Sequence, residues 1–216
     1  MITVKKFTFN PFQENTYVLH DESKEAVIID PGCSDESERQ ELEKYIREVG
    51  LKPVHLLNSH CHIDHIFGNR FVQEEFSLKL EAHRLEVPIL EGAIEAAMRF
   101  GISPPDAPPI EIFLEENGSV SFGKSELNIL FLPGHAPGHI AFHSPDDNFI
   151  ISGDVLFHGS IGRTDLPGGN LETLMDSICN KMMKLENSCT VYSGHGPDTT
   201  IETEKKHNPF LLNYCK

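Results

Sequence analysis

Hydrophobic and polar residues alternate at the start of the chain, in short runs that turn-forming residues separate. Alternation with a period of two is typical of strands that bury one face. The strands predicted in this part are 2–9, 16–19 and 26–29. Apolar residues then recur three and four positions apart between Ser34, a candidate helix cap, and Gly50. This spacing predicts a helix that begins after Ser34 and ends at Gly50.

The rest of the chain mixes both periods. Further strands are predicted at 54–57, 120–122, 127–132, 140–142, 149–152 and 190–192. Further helices are predicted after Asp64 and at 85–100, 171–185 and 201–207, the third with Asn170 as its cap. Residues 102–109 are predicted to form a loop. Because both halves mix strands with helices, we predict an α/β fold in which two sheets pack face to face beneath outer helices.

The chain has 216 residues, of which 39% are hydrophobic, and a formal net charge of −15. We expect a single domain over residues 1–216. A chain of this length buries roughly 70% of its unfolded surface, so its core needs neither metal nor disulfides. A bound metal would therefore serve function. The acidic charge disfavours nucleic acid and anionic membranes as partners, since both demand neutralisation of phosphate charge.

Apolar runs are much shorter than the roughly 20 residues that a membrane-spanning helix requires. The N-terminal segment lacks the apolar stretch of a secretion signal, so we expect a cytoplasmic protein. The five cysteines include no Cys-x-x-Cys pair. This arrangement argues against a disulfide framework and predicts reduced thiols.

Three imidazoles and a carboxylate follow a predicted strand within residues 60–65. Alternate residues of an extended segment point the same way, so His60 and His62 can bind one ion while Cys61 points elsewhere. Asp64 and His65, where the chain turns, can face a second ion. Imidazole and carboxylate ligands crowded at a strand end are typical of borderline metals such as zinc.

Three more candidate ligands follow predicted strands, and each comes directly after a glycine. They are His135, Asp154 and His195. Glycine permits tight turns and close approach of the backbone, which lets several strand ends converge. Ligand sites of layered α/β proteins are commonly found at such openings. We therefore predict that these residues join those of the 60–65 segment in one metal site.

These motifs resemble those of the metallo-β-lactamase-fold hydrolases. The matching segments are Ser59–His65, Gly134–His139, Ser152–Asp154 and Ser193–Pro197. The resemblance implies a four-layer αββα sandwich with an internal pseudo-twofold between its halves. It also implies one metal held by His60, His62 and His135, a second held by Asp64, His65 and His195, and Asp154 as the bridge between them.

The segment Phe157–Asn170 is similar to that of short bacterial glyoxalase II-like thioester hydrolases. This resemblance implies that Arg163 stands where those enzymes have a basic glutathione-binding residue. The alternative is a surface ion pair between Arg163 and Asp165, which contributes little to stability. Asp165 replaces a glutathione-binding tyrosine of those enzymes. Little sequence follows His195, so we expect no separate C-terminal helical domain.

We predict a hydrolase with two divalent metal ions, zinc being expected and iron an alternative. Paired cations lower the pKa of bound water and stabilise an oxyanion. A hydroxide held between them would attack a thioester carbonyl, with Asp64 and Asp154 as the catalytic carboxylates. The resemblance implies a small-molecule hydroxyacyl thioester such as S-lactoylglutathione as the substrate.

Three alternatives stay open at this point. Lactones are a second class of hydrolytic substrate. Persulfide dioxygenases look similar and use one iron, which the resemblance would assign to His60, His135 and Asp154. The third alternative is a metal-binding module without catalytic activity.

Overall fold

The computed structural model describes residues 1–215. The described chain divides into two compact units. The first unit contains residues 1–114 and 121–126, and the second contains residues 115–120 and the chain from 127 onward. Whether these units act as the single domain expected from the sequence stays a prediction.

A six-stranded mixed sheet and four helices build the first unit. Its strands are β1 (Thr3–Phe9), β2 (Glu14–His20), β3 (Glu25–Ile29), β4 (Lys52–Leu57), β5 (Leu80–His83) and β6 (Ile112–Leu114), paired in that order. Its helices are α1 (Glu36–Val49), α2 (Asn69–Phe76), α3 (Val87–Glu91) and α4 (Ala93–Phe100). The pairs β1–β2 and β2–β3 are antiparallel, and the remaining pairs are parallel.

The helix predicted after Ser34 is present, although Asp35 is its cap. Asp35 Oδ1 accepts a hydrogen bond from the Glu38 backbone N–H at 3.0 Å, and Gly50 ends the helix with φ 72°. The Ser34 hydroxyl binds the Glu38 side chain instead. The apolar face of α1 joins a core cluster that contains Leu42 and Ile46 together with residues of β1–β5.

One helix prediction for the first unit is wrong in detail, and strands β5 and β6 were not predicted. The helix predicted at 85–100 is broken at Gly92 into α3 and α4, preceded by a 3₁₀ turn over Arg84–Glu86. Strand β5 was not predicted, because Glu81 interrupts its apolar pattern. In the structure Glu81 Oε1 lies 2.6 Å from His55 Nδ1, and this hydrogen bond raises the pKa of His55.

The second unit contributes to a second sheet of six strands, a short hairpin and three helices. The strands of the sheet are β7 (Ser119–Phe122), β8 (Ser125–Phe131), β9 (Ile140–Ser144), β10 (Phe149–Gly153), β13 (Thr190–Ser193) and β14 (Thr199–Thr200), in the order β14-β13-β10-β9-β8-β7. The hairpin is β11 (Leu156–Phe157) with β12 (Ser160–Ile161), and the helices are α5 (Leu171–Asn180), α6 (Ile201–His207) and α7 (Pro209–Tyr214).

Helix α5 begins as predicted, since Asn170 Oδ1 accepts a hydrogen bond from the Thr173 backbone N–H at 2.9 Å. It ends earlier than its apolar stripe predicts, and Met182–Lys184 form a separate 3₁₀ turn. Cys179 on α5 is joined by a disulfide to Cys215 after α7. The expectation that all five cysteines are reduced is therefore wrong for this pair, while Cys33, Cys61 and Cys189 are free and buried.

No helix within residues 1–215 is both long and apolar enough to cross a membrane.

Candidate metal centre

The histidine segment of the first unit follows the carboxyl end of β4, where the strand leaves the sheet. His60 and His65 are buried, whereas His62 and Asp64 are half-buried. The ring centroid of His60 lies 4.8 Å from that of His62 and 4.1 Å from that of His65. A 3₁₀ turn over Ile63–His65 brings Asp64 Oδ2 to 3.8 Å from His65 Nε2. The four predicted ligands of this unit therefore form one cluster.

Asp30, which directly follows β3, contacts this cluster at Ser59 and at the Nδ1 side of His65. Its Oδ1 accepts a hydrogen bond from the Ser59 backbone N–H at 2.7 Å, and its Oδ2 accepts one from the Ser59 hydroxyl at 2.6 Å. Asp30 Oδ2 also lies 3.3 Å from His65 Nδ1. A carboxylate beside Nδ1 favours the tautomer that leaves Nε2 available to a metal. Residues Asp30, His60 and His65 carry ligand atoms within 4.8 Å of one another.

Glu14 adds a second buried carboxyl next to His65. Its Oε1 lies 3.8 Å from His65 Nδ1, and its Oε2 accepts a hydrogen bond from the Thr16 hydroxyl at 2.9 Å. Burial raises the pKa of Glu14 well above its ordinary value. Gly32 has no space for a side chain, because a Cβ atom there would collide with the Glu14 carboxyl and the Asp64 carbonyl.

Two side chains hold the backbone of the histidine segment. Asn10 Nδ2 donates to the Asp64 carbonyl at 3.0 Å, and Glu86 Oε2 accepts from the Cys61 backbone N–H at 2.8 Å. The Cys61 side chain lies in an apolar cluster with Ile63 and Ile66, as the alternation predicts. Burial raises the pKa of the Cys61 thiol well above its ordinary value.

The second unit gathers the other three predicted ligands at neighbouring strand ends. Strands β10 and β13 are parallel, and the Gly194 backbone N–H donates to the Gly153 carbonyl at 2.8 Å. Asp154 and His195 follow these two glycines. Asp154 Oδ2 lies 3.6 Å from His135 Nε2 and 3.5 Å from His195 Nε2. One carboxylate oxygen therefore faces both imidazoles.

The ring of His135 is oriented by main-chain oxygen. Its Nδ1 lies 2.7 Å from the Arg163 carbonyl, and because a carbonyl only accepts, Nδ1 carries the proton and Nε2 faces Asp154. Gly162 has no space for a side chain, since a Cβ atom would collide with the Asp154 carbonyl. His139 accepts a hydrogen bond at Nε2 from the Asp154 backbone N–H at 3.1 Å.

Arg163 itself forms the surface pair that the sequence offered as an alternative. Its guanidinium donates from Nε and Nη2 to the two Asp165 oxygens, each at 2.7 Å. These hydrogen bonds lower the pKa of Asp165 to about 2. Both side chains are more than half exposed, so the pair contributes little to stability. A role of Arg163 in substrate binding stays a prediction.

The donor set within each unit fits a borderline divalent metal. Ligands of one tetrahedral metal, each about 2.0–2.2 Å from it, lie roughly 3.4 Å apart. The distances from Asp154 Oδ2 to His135 and His195 match this separation and exceed the ordinary hydrogen-bond range. Neutral imidazole with carboxylate is the ligand chemistry of zinc and iron, whereas calcium and magnesium prefer oxygen alone.

Residues 9–195 match the family described as the metallo-beta-lactamase superfamily. The chain belongs to this superfamily. It is 39% identical over 212 residues to the probable metallo-hydrolase YqgX of Bacillus subtilis, covering 97% of this chain and 98% of YqgX. It is 38% identical over 202 residues to the hydroxyacylglutathione hydrolase GloC of Haemophilus influenzae, covering 93% of each.

A third relative is the mitochondrial persulfide dioxygenase ETHE1 of Bos taurus, 31% identical over 93% of this chain and 72% of ETHE1. Among solved structures, BLEG-1 B3 metallo-beta-lactamase superposes with a TM-score of 0.89 at 37% identity, covering 97% of this chain and 99% of BLEG-1. The di-iron-bound form of TTHA1623 superposes with a TM-score of 0.86 at 39% identity, covering 96% of this chain and all of that chain.

The superfamily confirms the predicted fold class, the αββα sandwich of the metallo-β-lactamase fold. It also supports a hydrolase that uses divalent metal ions. Sequence reasoning did not identify Asp30, Glu14, Glu86 and Asn10 around the histidine segment. The run Asp30-Pro31-Gly32 at a strand end was the available signal for the first of them, because a carboxylate at such a position often serves a site.

Proposed function

We propose that this protein is a dinuclear metal hydrolase that cleaves small hydroxyacyl thioesters of the S-lactoylglutathione type. The observation that carries the proposal is the similarity to the hydroxyacylglutathione hydrolase GloC, which extends over 93% of both chains. The glyoxalase II-like segment around Arg163 adds support from the sequence.

In this proposal two metal sites use the ligands that the two units supply. His60, His62 and His135 would hold one ion, Asp64, His65 and His195 the other, and Asp154 both. The superfamily match over residues 9–195 contains all of these residues. The position of Asp154 Oδ2 between the Nε2 atoms of His135 and His195 supports a shared carboxylate.

Two divalent ions would supply a water of lowered pKa and an electrophile for the carbonyl oxygen. The chain's own groups would hold the ligands in place. Asp30 fixes the Nδ1 side of His65, and the Arg163 carbonyl fixes that of His135. Asp64 would accept a hydrogen bond from the attacking water. Arg163 would bind a substrate carboxylate away from the reacting carbonyl, for which a planar guanidinium is suited.

Zinc is the proposed metal, because three imidazoles with a carboxylate are common zinc ligands. The di-iron form of TTHA1623 makes iron the alternative to test. We place the protein in the cytoplasm, where small thiols and their thioesters are kept in the reduced state. Nucleic acid and membrane partners are not part of this proposal, given the net charge of −15.

A second candidate is persulfide dioxygenation with one iron on His60, His135 and Asp154. The similarity to ETHE1 over 93% of this chain favours it. The two reactions differ in their use of oxygen, because thioester hydrolysis consumes water alone whereas dioxygenation consumes oxygen. A single preparation can therefore be assayed for both.

The test uses protein stripped of metal and reloaded with zinc or with iron. We expect S-lactoylglutathione to be hydrolysed without oxygen by the zinc form, while glutathione persulfide causes no oxygen uptake in either form. Asp154→Ala should lose metal from both sites, and its turnover should fall by more than about 100-fold. Mutation of residues that only hydrogen-bond to metal ligands already lowers affinity or activity 10- to 100-fold. Asp198→Ala, two residues past the glycine that follows His195, is the matched control.

Iron-dependent oxygen uptake that exceeds thioester turnover would show that the protein is a dioxygenase and not a hydrolase. If a lactone or a β-lactam were hydrolysed faster than every thioester tested, the protein would be a hydrolase with a different substrate. Full metal occupancy in Asp154→Ala would show that Asp154 is not a metal ligand.

A further inference from the structure

A groove opens in the second unit along α5 and the C-terminal helices α6 and α7. Its volume is about 740 Å³. Sulfur-bearing side chains line part of it, namely Met175, Met183, Cys179 and Cys215. Leu212 and Tyr214, which also line it, are more than half exposed. The groove is therefore an open surface of mixed polarity with a disulfide in its wall.

The groove offers a small anionic thiol two lysines near a disulfide, and it is less acidic than the chain as a whole. Cys179 and Cys215 are only half-buried, and both line the groove. Lys184 and Lys205 line the groove together with Glu172 and Asp176, which makes its formal charge zero in a chain of net charge −15. The two ammonium groups offer donors to carboxylates of such a thiol.

Helix α5, which carries Cys179, also holds the backbone in front of His135. The Ser177 hydroxyl donates to the Pro133 carbonyl at 2.7 Å, and the Asn170 backbone N–H donates to the Gly134 carbonyl at 2.7 Å. Gly134 packs so closely that a Cβ atom there would collide with the Leu174 backbone. A shift of α5 would therefore displace Gly134, the residue before His135.

The junction of α6 and α7 holds His135 from its other side. Asn208, the cap of α7, donates from Nδ2 to the Ser160 carbonyl at 2.9 Å and to Glu204 Oε2 at 2.8 Å. Glu204 is buried and accepts from the Gly159 backbone N–H at 2.9 Å. The segment continues through β12 to Arg163, whose carbonyl binds His135 Nδ1 at 2.7 Å.

We propose that the Cys179–Cys215 disulfide is a thiol-exchange site at which a small anionic thiol, bound in this groove, opens the link between α5 and α7. Opening it separates the two supports of His135 and loosens that side chain. The exchange itself is independent of the proposed function. Its effect on metal retention rests on the proposed role of His135 as a ligand.

The exchange proceeds in two balanced steps. The thiolate attacks Cys215 Sγ, a new S–S bond forms, and the Cys179–Cys215 bond breaks with Cys179 leaving as a thiolate that takes up a proton. A second thiol then attacks the mixed disulfide, which releases Cys215 as a thiol and the small molecule as its own disulfide. The pair is thereby reduced by two electrons and two thiols are oxidised.

The first test follows the exchange by mass spectrometry of the intact metal-free protein. We expect a glutathione adduct on Cys215. The double variant Lys184→Ala, Lys205→Ala should form this adduct roughly two- to fivefold more slowly, which is the scale of exposed charge pairs. The rate of adduct formation with neutral 2-mercaptoethanol should not change with the two substitutions. Lys206→Ala, whose ammonium pairs with Glu202 on α6, is the control for a charge outside the groove.

Five free thiols in the protein purified without reductant would overturn the proposal, as would an adduct on Cys189 in place of Cys215. Equal rates for glutathione in the lysine variants and in the parent would overturn the groove as the binding site. Cys189→Ser, which removes a buried free thiol of the same unit, should leave the exchange unchanged.

The second test measures the effect on His135. The imidazole Nδ1–H of His135, observed by ¹H–¹⁵N NMR in metal-free protein, should exchange with solvent faster after glutathione treatment and in Cys179→Ser with Cys215→Ser. Metal-loaded protein should release its ions to a chelator faster in the same two states. An adduct without either change would overturn the link to His135, and faster Nδ1–H exchange without faster metal release would instead count against His135 as a ligand.

Discussion

The side chains that surround the histidine segment are polar and buried, and their hydrogen bonds fix its geometry. Asp30 binds Ser59 through both carboxylate oxygens and approaches His65 Nδ1. A buried carboxylate is tolerated only when its oxygens are used in this way. Asp30 therefore fixes the backbone at Ser59 and the Nδ1 side of His65, which is one of the predicted metal ligands.

Arg163 offers a test at the scale of one side chain. Its guanidinium is more than half exposed and donates to both carboxylate oxygens of Asp165. Arg163→Ala is expected to raise KM for an anionic thioester several-fold and to leave kcat for a small neutral thioester nearly unchanged, because uniform binding is lost. Steady-state kinetics on both substrates provide the measurement.

Arg99→Ala removes a comparable exposed pair, with Glu95 on α4, and should change neither constant. Asp165→Asn should leave the anionic substrate bound at least as well, since Arg163 loses a competing carboxylate. The contrary result would be that Arg163→Ala lowers kcat/KM equally for both substrates and also lowers the melting temperature. In that case Arg163 would be only a structural partner of Asp165.

The turns that join neighbouring strands depend on single side chains that bind backbone groups. Asp21, in the β2–β3 turn, accepts from the Ser23 N–H at 2.8 Å, from the Lys124 N–H at 2.7 Å and from the Ser125 hydroxyl at 3.0 Å. Burial opposes ionisation, but these hydrogen bonds hold the pKa of Asp21 well below its ordinary value. The carboxylate thus joins two turns of the first unit.

Asp21→Asn is expected to lower the free energy of unfolding by about 1.5–3 kcal/mol at pH 7, the range for hydrogen bonds to a charged group. A lowered folded-state pKa contributes stability that is present above the unfolded pKa of about 3.9 and is lost as the pH falls towards the folded value. The difference between variant and parent should therefore shrink below about pH 4. Urea unfolding at pH 7 and pH 3 measures it.

Asp146→Asn serves as the control, because Asp146 is an exposed residue in the β9–β10 turn, and it should change stability by less than about 0.5 kcal/mol. A cost of Asp21→Asn that stays constant between the two pH values would contradict the ionised state of Asp21.

The whole chain carries a charge of −15, so bound divalent ions would change its electrostatics as well as its chemistry. An anionic substrate is repelled at long range by this charge. Inside a Debye length of about 8 Å, however, a pair of divalent ions outweighs distant surface carboxylates. We therefore expect association with anionic substrates to depend on metal loading and on ionic strength.

Removal of metal should leave the chain folded, because each unit has an apolar core cluster of its own. Ions present at about 100 times their dissociation constant would stabilise the protein by about 2.7 kcal/mol. At roughly 2–4 °C per kcal/mol for a chain of this size, the melting temperature should fall by about 5–10 °C after chelation. Circular dichroism before and after chelation, and after metal is restored, provides the measurement.

Loss of the helical signal on chelation would show that metal is required for folding. An unchanged melting temperature, with the ions shown to be removed, would mean that they contribute little to the native state.

The sequence by itself determined the order and type of most elements and the metal-site motifs. Strand alternation in β1–β3 and the helical period of α1 are local properties, so they are visible without a structure. Residue types and spacing alone also predict the metal-site motifs, which are the histidine segment at 60–65 and the glycine-flanked His135, Asp154 and His195. The fold class followed from these motifs through resemblance, and the superfamily match confirms it.

Only the tertiary structure decided which distant residues meet. Strand β5 pairs with β4 and β6, and its Glu81 is bound by His55 of β4; the pattern of β5 alone cannot show these partners. Asp30 and Glu14, at the ends of β3 and β2, and Glu86, in the 3₁₀ turn after β5, come close to the histidine segment from distant parts of the chain. The Cys179–Cys215 link depends in the same way on how α7 packs near α5. Such contacts depend on packing of segments remote in sequence, and local periodicity carries no information about them.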